Sequence, residues 1–384
     1  MDHGATTPVD KEVMKEMLPY FDIKFGNASS IHCFGKETFN AIENAREKVA
    51  KLINCNAEEI FFTSGGTESD NLAIKGIAYK NKEKIGKKGY HIITSSIEHP
   101  AVLETCKYMQ ELGYNVKFLP VDKFGIIDLN ELKKSISKNT FLVSIMFANH
   151  EIGTLQPIKE ITKITQENNI LFHTDAVQAV CKTPVDVKKQ KIDLLSLSGH
   201  KIYAPKGVGA LYIKKGIRPQ TISHGGGHEK GVRSSTYNSP GIVGLGKACE
   251  LGKERLLNDM KKLKILRDNL IKNTLKIEES YLNGHPDKRL VNNAHFRFTA
   301  VEGESLNLRL DNKGIAVATG SACSSKKLEP SHILLAMGLK AEEAHGSLRF
   351  TLGRMNTQED VDYINNTLPE IVGTLRKMSP LWDR

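Results

Sequence analysis

The segment FLVSIMFANHEIGTLQPIKEITKITQENNILFHTD, residues 141–175, contains two apolar runs separated by an amphipathic stretch. Its apolar run 141–147 predicts a buried strand, and the apolar run 170–175 predicts a second one. Between them, residues 158–169 space their isoleucines as an amphipathic helix does. Strand, helix and strand in this order predict two parallel strands joined by a right-handed crossover.

The same alternation extends over the first two thirds of the chain. Further strands are predicted at 59–64, 91–96, 115–120, 193–198 and 209–214, and a helix at 35–53. This alternation predicts an α/β protein whose large domain, residues 12–252, holds a mostly parallel sheet covered on both faces.

The pattern changes near residue 250. A long basic helical stretch follows, and a final helix is predicted at about 357–376. We expect residues 1–11 and 253–384 to form a smaller α+β domain.

Composition limits the possible classes of protein. The chain has 384 residues, 40% of them hydrophobic and 26% charged, and no run of eighteen apolar residues, so we expect no membrane span. Six scattered cysteines form no C-x-x-C pair, which predicts a reduced, cytoplasmic protein without a disulfide framework or a metal site. The net charge of +10 suits either lysine-rich helix faces in water or attraction to RNA or an acidic protein. Charge alone does not decide between them, and we expect no direct nucleic-acid partner.

Polar motifs follow the predicted strands, where open α/β sheets bind ligands. In TSGGTESDN (63–71), Gly66 and Thr67 open a helix, and this arrangement suits either a phosphate or an ordinary glycine turn with a capped helix. Asp175 ends a strand and could bind a metal, act as a base, pair with a protonated ring nitrogen, or cap the next helix. Lys201 follows a strand and is either a Schiff-base lysine or a solvent-facing one.

The three motifs together fit one cofactor. Pyridoxal phosphate needs donors for its phosphate, a carboxylate for its pyridine nitrogen and a lysine amine for its aldehyde. Ser198 and His200, beside Lys201, add phosphate donors, and His99 offers a flat imidazole that could stack on the ring.

The sequence resembles the cysteine desulfurases of the NifS/IscS type, which are fold-type I, class V aminotransferase-like pyridoxal-phosphate enzymes. The resemblance runs nearly end to end. It rests on TSGGTESDN, HTDAVQ (173–178), SLSGHKIYAPKGVGALYI (196–213), GGGHEKGVRSSTYN (225–238), GSACSSKKLEPSHILLAMG (320–338) and AHGSLRFTLGR (344–354).

The resemblance implies a role for each matching residue. Lys201 would link to the cofactor and move the substrate's α-proton, Asp175 would pair with the pyridine nitrogen, and His99 would stack on the ring. Gln178 would donate a hydrogen bond to the phenolic oxygen. Asn149 would lie at the cofactor, and Asn149 and Arg349 together would hold the substrate carboxylate. The phosphate would be bound by Gly66, Thr67, Ser198, His200 and, from the second subunit of a homodimer, Thr236.

Cys323 lies among small and polar residues, which suit a thiol that must reach a buried cofactor and then a partner. The resemblance implies that Cys323 accepts sulfur from L-cysteine as a persulfide, leaving L-alanine. Sulfur would pass to an iron–sulfur scaffold protein or to proteins of tRNA or cofactor thiolation. In some relatives the equivalent cysteine also helps to hold a nascent cluster, and that role stays open for Cys323.

Other functions remain open at this point. A selenocysteine lyase or an aminotransferase has the same fold, and a catalytically silent scaffold-binding relative is a third alternative. Two departures from the family pattern bear on the site: His150 replaces a usual second asparagine after Asn149, and His228 stands where glutamine is frequent.

Overall fold

The computed structural model describes residues 1–81, 90–320 and 330–382. Cys323 lies outside the described residues. The strands are β1 (Ile60–Thr63), β2 (His91–Ser95), β3 (Asn115–Leu119), β4 (Thr140–Ser144), β5 (Leu171–Asp175), β6 (Leu194–Ser198), β7 (Gly209–Ile213), β8 (Ser280–Asn283), β9 (Asn293–Phe298) and β10 (Ser347–Thr351).

The α-helices surround the strands and connect them. They are α1 (Lys11–Met17), α2 (Cys33–Ile53), α3 (Gly66–Asn81), α4 (Pro100–Glu111), α5 (Leu129–Ser135), α6 (Ile158–Glu167), α7 (Ser239–Thr274), α8 (Gly303–Asp311), α9 (His332–Ala336), α10 (Ala341–His345) and α11 (Gln358–Met378).

The first seven strands form one sheet in the order β1-β7-β6-β5-β4-β2-β3. Strands β3, β2, β4, β5 and β6 pair in parallel, whereas β7 is antiparallel to both β6 and β1. All seven strands lie where the sequence predicts them, and the prediction of a mostly parallel sheet is confirmed.

Both faces of this sheet are buried, and successive side chains of each strand point to opposite faces. On β1, Ile60 and Phe62 pack into one apolar cluster and Phe61 into another. On β6, Leu195 and Leu194 divide in the same way. This explains why these strands appear in the sequence as continuous apolar runs.

A second, antiparallel sheet has the order β10-β9-β8 and packs with α8 and α11 around its own apolar cluster. Helix α7 contributes Leu245 to the first cluster and Leu266 to this one, so it runs through the predicted domain boundary at residues 252 and 253. Met1 packs against the second cluster and Val9 against the first. The division into 12–252 and 1–11 plus 253–384 stays a prediction.

No helix in the described part of the chain is both long and apolar enough to cross a bilayer.

Candidate active site

A cavity of about 290 Å³ lies at the carboxyl ends of the parallel strands. The segments that follow β1, β2, β4, β5 and β6 all reach it. Its lining includes these predicted site residues: Gly66, Thr67, His99, Asp175, Gln178, Ser198, His200, Lys201 and Arg349.

Lys201 ends the short 3₁₀ turn Gly199–Lys201 directly after β6. Its Nζ donates hydrogen bonds to the carbonyl oxygens of Gly4 at 2.6 Å and Ala5 at 2.7 Å. The amine is therefore held at the cavity wall by the N-terminal segment, where it can meet an aldehyde.

Asp175 is buried at the end of β5, and its Oδ1 accepts the N–H of Val177 at 2.9 Å. Burial raises the pKa of this carboxyl, while the Val177 N–H and the positive charge of Lys201 act in the opposite direction. A cation placed beside Asp175 would favour its ionised form. A protonated pyridine nitrogen is such a cation.

A second carboxyl, that of Asp70, lies in the same cavity wall. Its pKa is raised by burial and by the neighbouring Asp175. Its Oδ1 is 3.6 Å from Nε2 of His173, which in turn lies 3.0 Å from Ser196 Oγ. Because two adjacent buried carboxylates repel each other, Asp70 holds a proton while Asp175 is ionised.

His99 caps the N-terminus of α4, where its Nδ1 accepts the N–H of Ala101 at 3.1 Å. Burial, followed by the charge of Lys201, lowers the pKa of this imidazole to about 4. The ring is therefore neutral at pH 7 with its proton on Nε2. The ring of His150 packs edge-on against it, with 5.0 Å between centroids.

The phosphate end is formed where β1 turns into α3. Gly65 has a φ of +155°, and a Cβ on Gly66 would lie 2.8 Å from Cγ2 of Val177 and 3.6 Å from Cβ of Ser198. The helix start therefore needs glycine to approach the Val177 side chain, which follows β5. The start of this 16-residue helix places N–H groups and the hydroxyls of Thr67 and Ser198 at one point, which suits a phosphate dianion.

These features together fit pyridoxal phosphate. A phosphate site without side-chain bulk lies at one end of the cavity, and a buried carboxylate lies by the β5 end with an amine nearby. The neutral ring of His99 forms part of the wall, where it can stack on a flat cofactor.

Arg349 projects from β10 into the cavity and is only 3% exposed. It donates to the carbonyl oxygen of His150 at 3.0 Å, and its Nη2 is 3.2 Å from Oδ1 of Asp2. Its Nε has no hydrogen-bond partner among the described residues. The guanidinium thus retains a donor for the carboxylate of a small substrate.

Two predicted residues lie away from this cavity. The buried amide of Asn149 donates to the carbonyl oxygen of Ile97 at 3.0 Å, and its Oδ1 accepts the N–H groups of Glu151 and Ile152. It shapes the turn, and its neighbour His150 faces the cavity instead. Thr236 is exposed and is not part of the cavity wall within one subunit.

Four other lining residues, Gly4, Ala5, Asp70 and His150, were not predicted from the sequence. His150 was noted only as a departure from the family pattern, and Asp70 lies in the motif TSGGTESDN without having been singled out. Gly4 and Ala5 lie far along the chain from the motifs that follow the strands.

The chain is similar to known proteins over its whole length. The family model for aminotransferase class-V matches residues 1–364. A cysteine desulfurase IscS of Methanosarcina thermophila is 56% identical over 99% of this chain and 93% of its own. The chain belongs to the cysteine desulfurases of the aminotransferase class-V family. A cysteine desulfurase IscS 1 of Archaeoglobus fulgidus is 51% identical over 100% of this chain and 99% of the relative.

Solved structures agree with this assignment. A NifS-like protein superposes with a TM-score of 0.91 at 40% identity, covering 97% of this chain and 98% of the other. SspA in complex with cysteine superposes with a TM-score of 0.81 at 36% identity, covering 92% and 99%. The predictions of a fold-type I architecture, of pyridoxal phosphate as cofactor and of a cysteine desulfurase are confirmed.

Proposed function

We propose that this desulfurase takes sulfur from L-cysteine, releases L-alanine, and holds the sulfur on Cys323 as a persulfide until an acceptor protein removes it. The observation that carries the proposal is one cavity that joins Lys201, Asp175 and His99 to the guanidinium of Arg349. The first three serve a cofactor, and the last holds the carboxylate of an amino acid.

Each residue has a task in this scheme. Pyridoxal phosphate, when bound, supplies an electron sink for the carbon that bears the amino group. Asp175 holds a proton on the pyridine nitrogen, and Lys201 takes the α-proton and returns it. Arg349 orients the substrate by its carboxylate, with the His150 ring beside it in the wall. The neutral His99 excludes water from one ring face and keeps a proton on Nε2.

The sulfur step balances without an added oxidant. The Cys323 thiolate attacks the substrate sulfur, so a sulfur–sulfur bond forms while the carbon–sulfur bond breaks. The electron pair of that bond stays on carbon, which takes a proton and becomes the methyl group of alanine. Sulfur is oxidised to the persulfide level, and the carbon is reduced by the same amount.

We also propose a homodimer with shared sites. Exposed apolar side chains are concentrated in one segment: Met14, Leu18, Phe21, Ile23, Phe25, Ile31, Phe34 and Phe39. Such a concentration indicates a protein interface. Ser29 of this segment contacts His228 at 3.4 Å, and this links the apolar surface to the segment that carries Thr236. Thr236 can then reach the phosphate site of the second subunit.

The acceptor is an iron–sulfur scaffold protein or another thiol-bearing sulfur acceptor, and the compartment is the cytoplasm. The cysteines of the described residues support the latter, because all five are free thiols and such thiols persist where disulfides are kept reduced.

The test is an assay of wild type and Cys323→Ser with cysteine and a thiol reductant, scoring alanine and sulfide together. We expect equal amounts of both products from the wild type and neither from the variant. Cys55→Ser, which alters a free cysteine outside both the cavity lining and the segment 14–39, is the matched control and should keep full activity. Full activity of Cys323→Ser would refute the proposal.

A further inference from the structure

A lysine that the scheme above does not use lies buried behind the active site. Lys182 follows Gln178 by one turn and is 8% exposed. No Asp or Glu among the described residues lies within ion-pair distance of its Nζ. Burial, followed by the charge of Lys201, lowers the pKa of this amine to about 7. A buried lysine without a carboxylate partner is costly, which indicates a specific task.

Its hydrogen bond points to that task. Nζ of Lys182 donates to Oε1 of Gln178 at 2.9 Å. As an ammonium, the form that predominates below about pH 7, Lys182 has donors only and so fixes which end of the Gln178 amide faces it. The other end, Nε2, then faces the N-terminal segment and donates to the carbonyl oxygen of Gly4 at 3.0 Å.

That carbonyl oxygen also accepts Nζ of Lys201 at 2.6 Å. The Nε2 donor of Gln178 is therefore held next to the amine that links to the cofactor. Were the amide free to turn over, it would present an acceptor at this point instead.

We propose that Lys182 is a positioning residue: it fixes the Gln178 amide so that its Nε2 donates to the phenolic oxygen of pyridoxal phosphate. This inference rests on the proposed function, which assigns Gln178 to that oxygen. A fixed donor favours the anionic phenolic oxygen and so disfavours an extra proton on the nitrogen that joins the cofactor to Lys201.

Several other charged or titratable groups face Lys182. They are Cys181 from its own turn, His200, Lys201 and Tyr203 from the segment after β6, Asp259 from α7, Arg349 from β10, Arg354 from the segment after β10, and His3 from the N-terminal segment. Their fields act on the same nitrogen, so the test must separate positioning from the direct effect of the Lys182 charge.

The experiment is a pH titration of the yellow absorbance band of the cofactor-loaded protein. The proteins are wild type, Lys182→Met, Gln178→Leu, the double variant, and the exposed-lysine control Lys188→Met. We expect Lys182→Met and Gln178→Leu each to raise the titration midpoint by about one pH unit. We expect the double variant to have the same titration midpoint as Gln178→Leu, and the control to have the same midpoint as the wild type.

Two results would overturn the inference. An unchanged midpoint in Lys182→Met means that Lys182 does not influence the linkage. A shift that persists in full on the Gln178→Leu background means that the charge acts directly rather than through the amide. If Lys182→Met does not fold, Lys182→Gln replaces it as the test. An amide at 182 can present either a donor or an acceptor to Gln178 and no longer fixes that side chain, so an unchanged midpoint would again overturn the inference.

Failure of the proposed function looks different. In that case the wild type itself would form no yellow species with pyridoxal phosphate, or would release no alanine from cysteine.

Discussion

Arg349 gives the cavity wall a planar guanidinium that a lysine side chain cannot match. Its guanidinium is steadied by Asp2 and by the carbonyl oxygen of His150, and it binds a carboxylate in a fixed plane. We predict that Arg349→Lys lowers kcat/KM for cysteine about 100-fold, mostly through KM, because the carboxylate is held equally before and during the reaction. Steady-state kinetics at varied cysteine measure this.

The control for Arg349→Lys is Arg297→Lys on the neighbouring strand β9. Arg297 pairs with Asn283 and lies outside the cavity lining, so its kinetics should match the wild type. A loss confined to kcat in Arg349→Lys would contradict a role in substrate binding.

The choice between Asn149 and His150 illustrates what sequence cannot decide at this scale. Both follow β4, and either could face the cavity. The outcome depends on a local turn in which Asn149 Oδ1 accepts two backbone N–H groups, of Glu151 and Ile152. A side chain committed to its own turn is not free for a ligand, and that commitment becomes visible only in three dimensions.

Among the elements, the junction of β1 and α3 carries the phosphate site. A methyl group on Gly66 would lie 2.8 Å from Val177 Cγ2, closer than van der Waals contact allows. We predict that Gly66→Ala weakens binding of pyridoxal phosphate about tenfold, because the helix start must move away from Val177. Fluorescence titration of the apoprotein with the cofactor gives the dissociation constant.

Gly373→Ala in α11 is the matched control, since a Cβ there meets nothing within 4 Å. Its cofactor affinity should equal that of the wild type. Equal affinity of Gly66→Ala and wild type would place the phosphate elsewhere.

The strands were predictable because burial on both faces makes each of them a continuous apolar run between polar turns. The position of the N-terminal segment against Lys201 was not predictable. Lys201 reaches Gly4 and Ala5 across a sequence separation of nearly two hundred residues, and no local pattern records such a contact. Helix α7 likewise continues through the predicted domain boundary because apolar side chains serve both clusters along it.

For the whole molecule, a buried acid below the active site couples stability to pH. Glu98 accepts hydrogen bonds from Ser95 Oγ and the Met146 N–H, and burial raises its pKa to about 8. The folded protein therefore keeps this proton up to about pH 8, whereas the unfolded chain releases it near the ordinary value of 4.5. The free energy of unfolding should fall between those two pH values as pH rises.

Glu98→Gln keeps the shape without a titrating proton. We predict that the free energy of unfolding of Glu98→Gln minus that of wild type is about 3 kcal/mol larger at pH 8 than at pH 5. Urea unfolding at both pH values measures the difference. Glu104→Gln is the control, because Glu104 is exposed and pairs with Lys107. Its free energy of unfolding relative to wild type should change little between the two pH values. A pH-independent difference for Glu98→Gln would mean that the native protein carries Glu98 ionised.

Assembly is the second property at this scale. Ile31 is 90% exposed within the apolar segment 14–39. We predict that Ile31→Glu shifts the protein from dimer to monomer and lowers activity at least tenfold, because Thr236 no longer reaches the second site. Light scattering coupled to size exclusion measures the mass. Leu308→Glu, on α8 and 64% exposed, is the control and should remain dimeric. A fully active monomer would contradict the shared site.

A single turnover without reductant shows whether Cys323 carries the sulfur. Cofactor-loaded protein receives less than one equivalent of cysteine and is then alkylated and digested. Mass spectrometry gives the masses of its cysteine-containing peptides. We expect one added sulfur atom on the Cys323 peptide, alanine in the same amount, and no added sulfur on the peptide of the exposed Cys33. Alanine released while the Cys323 peptide keeps its original mass would contradict this expectation.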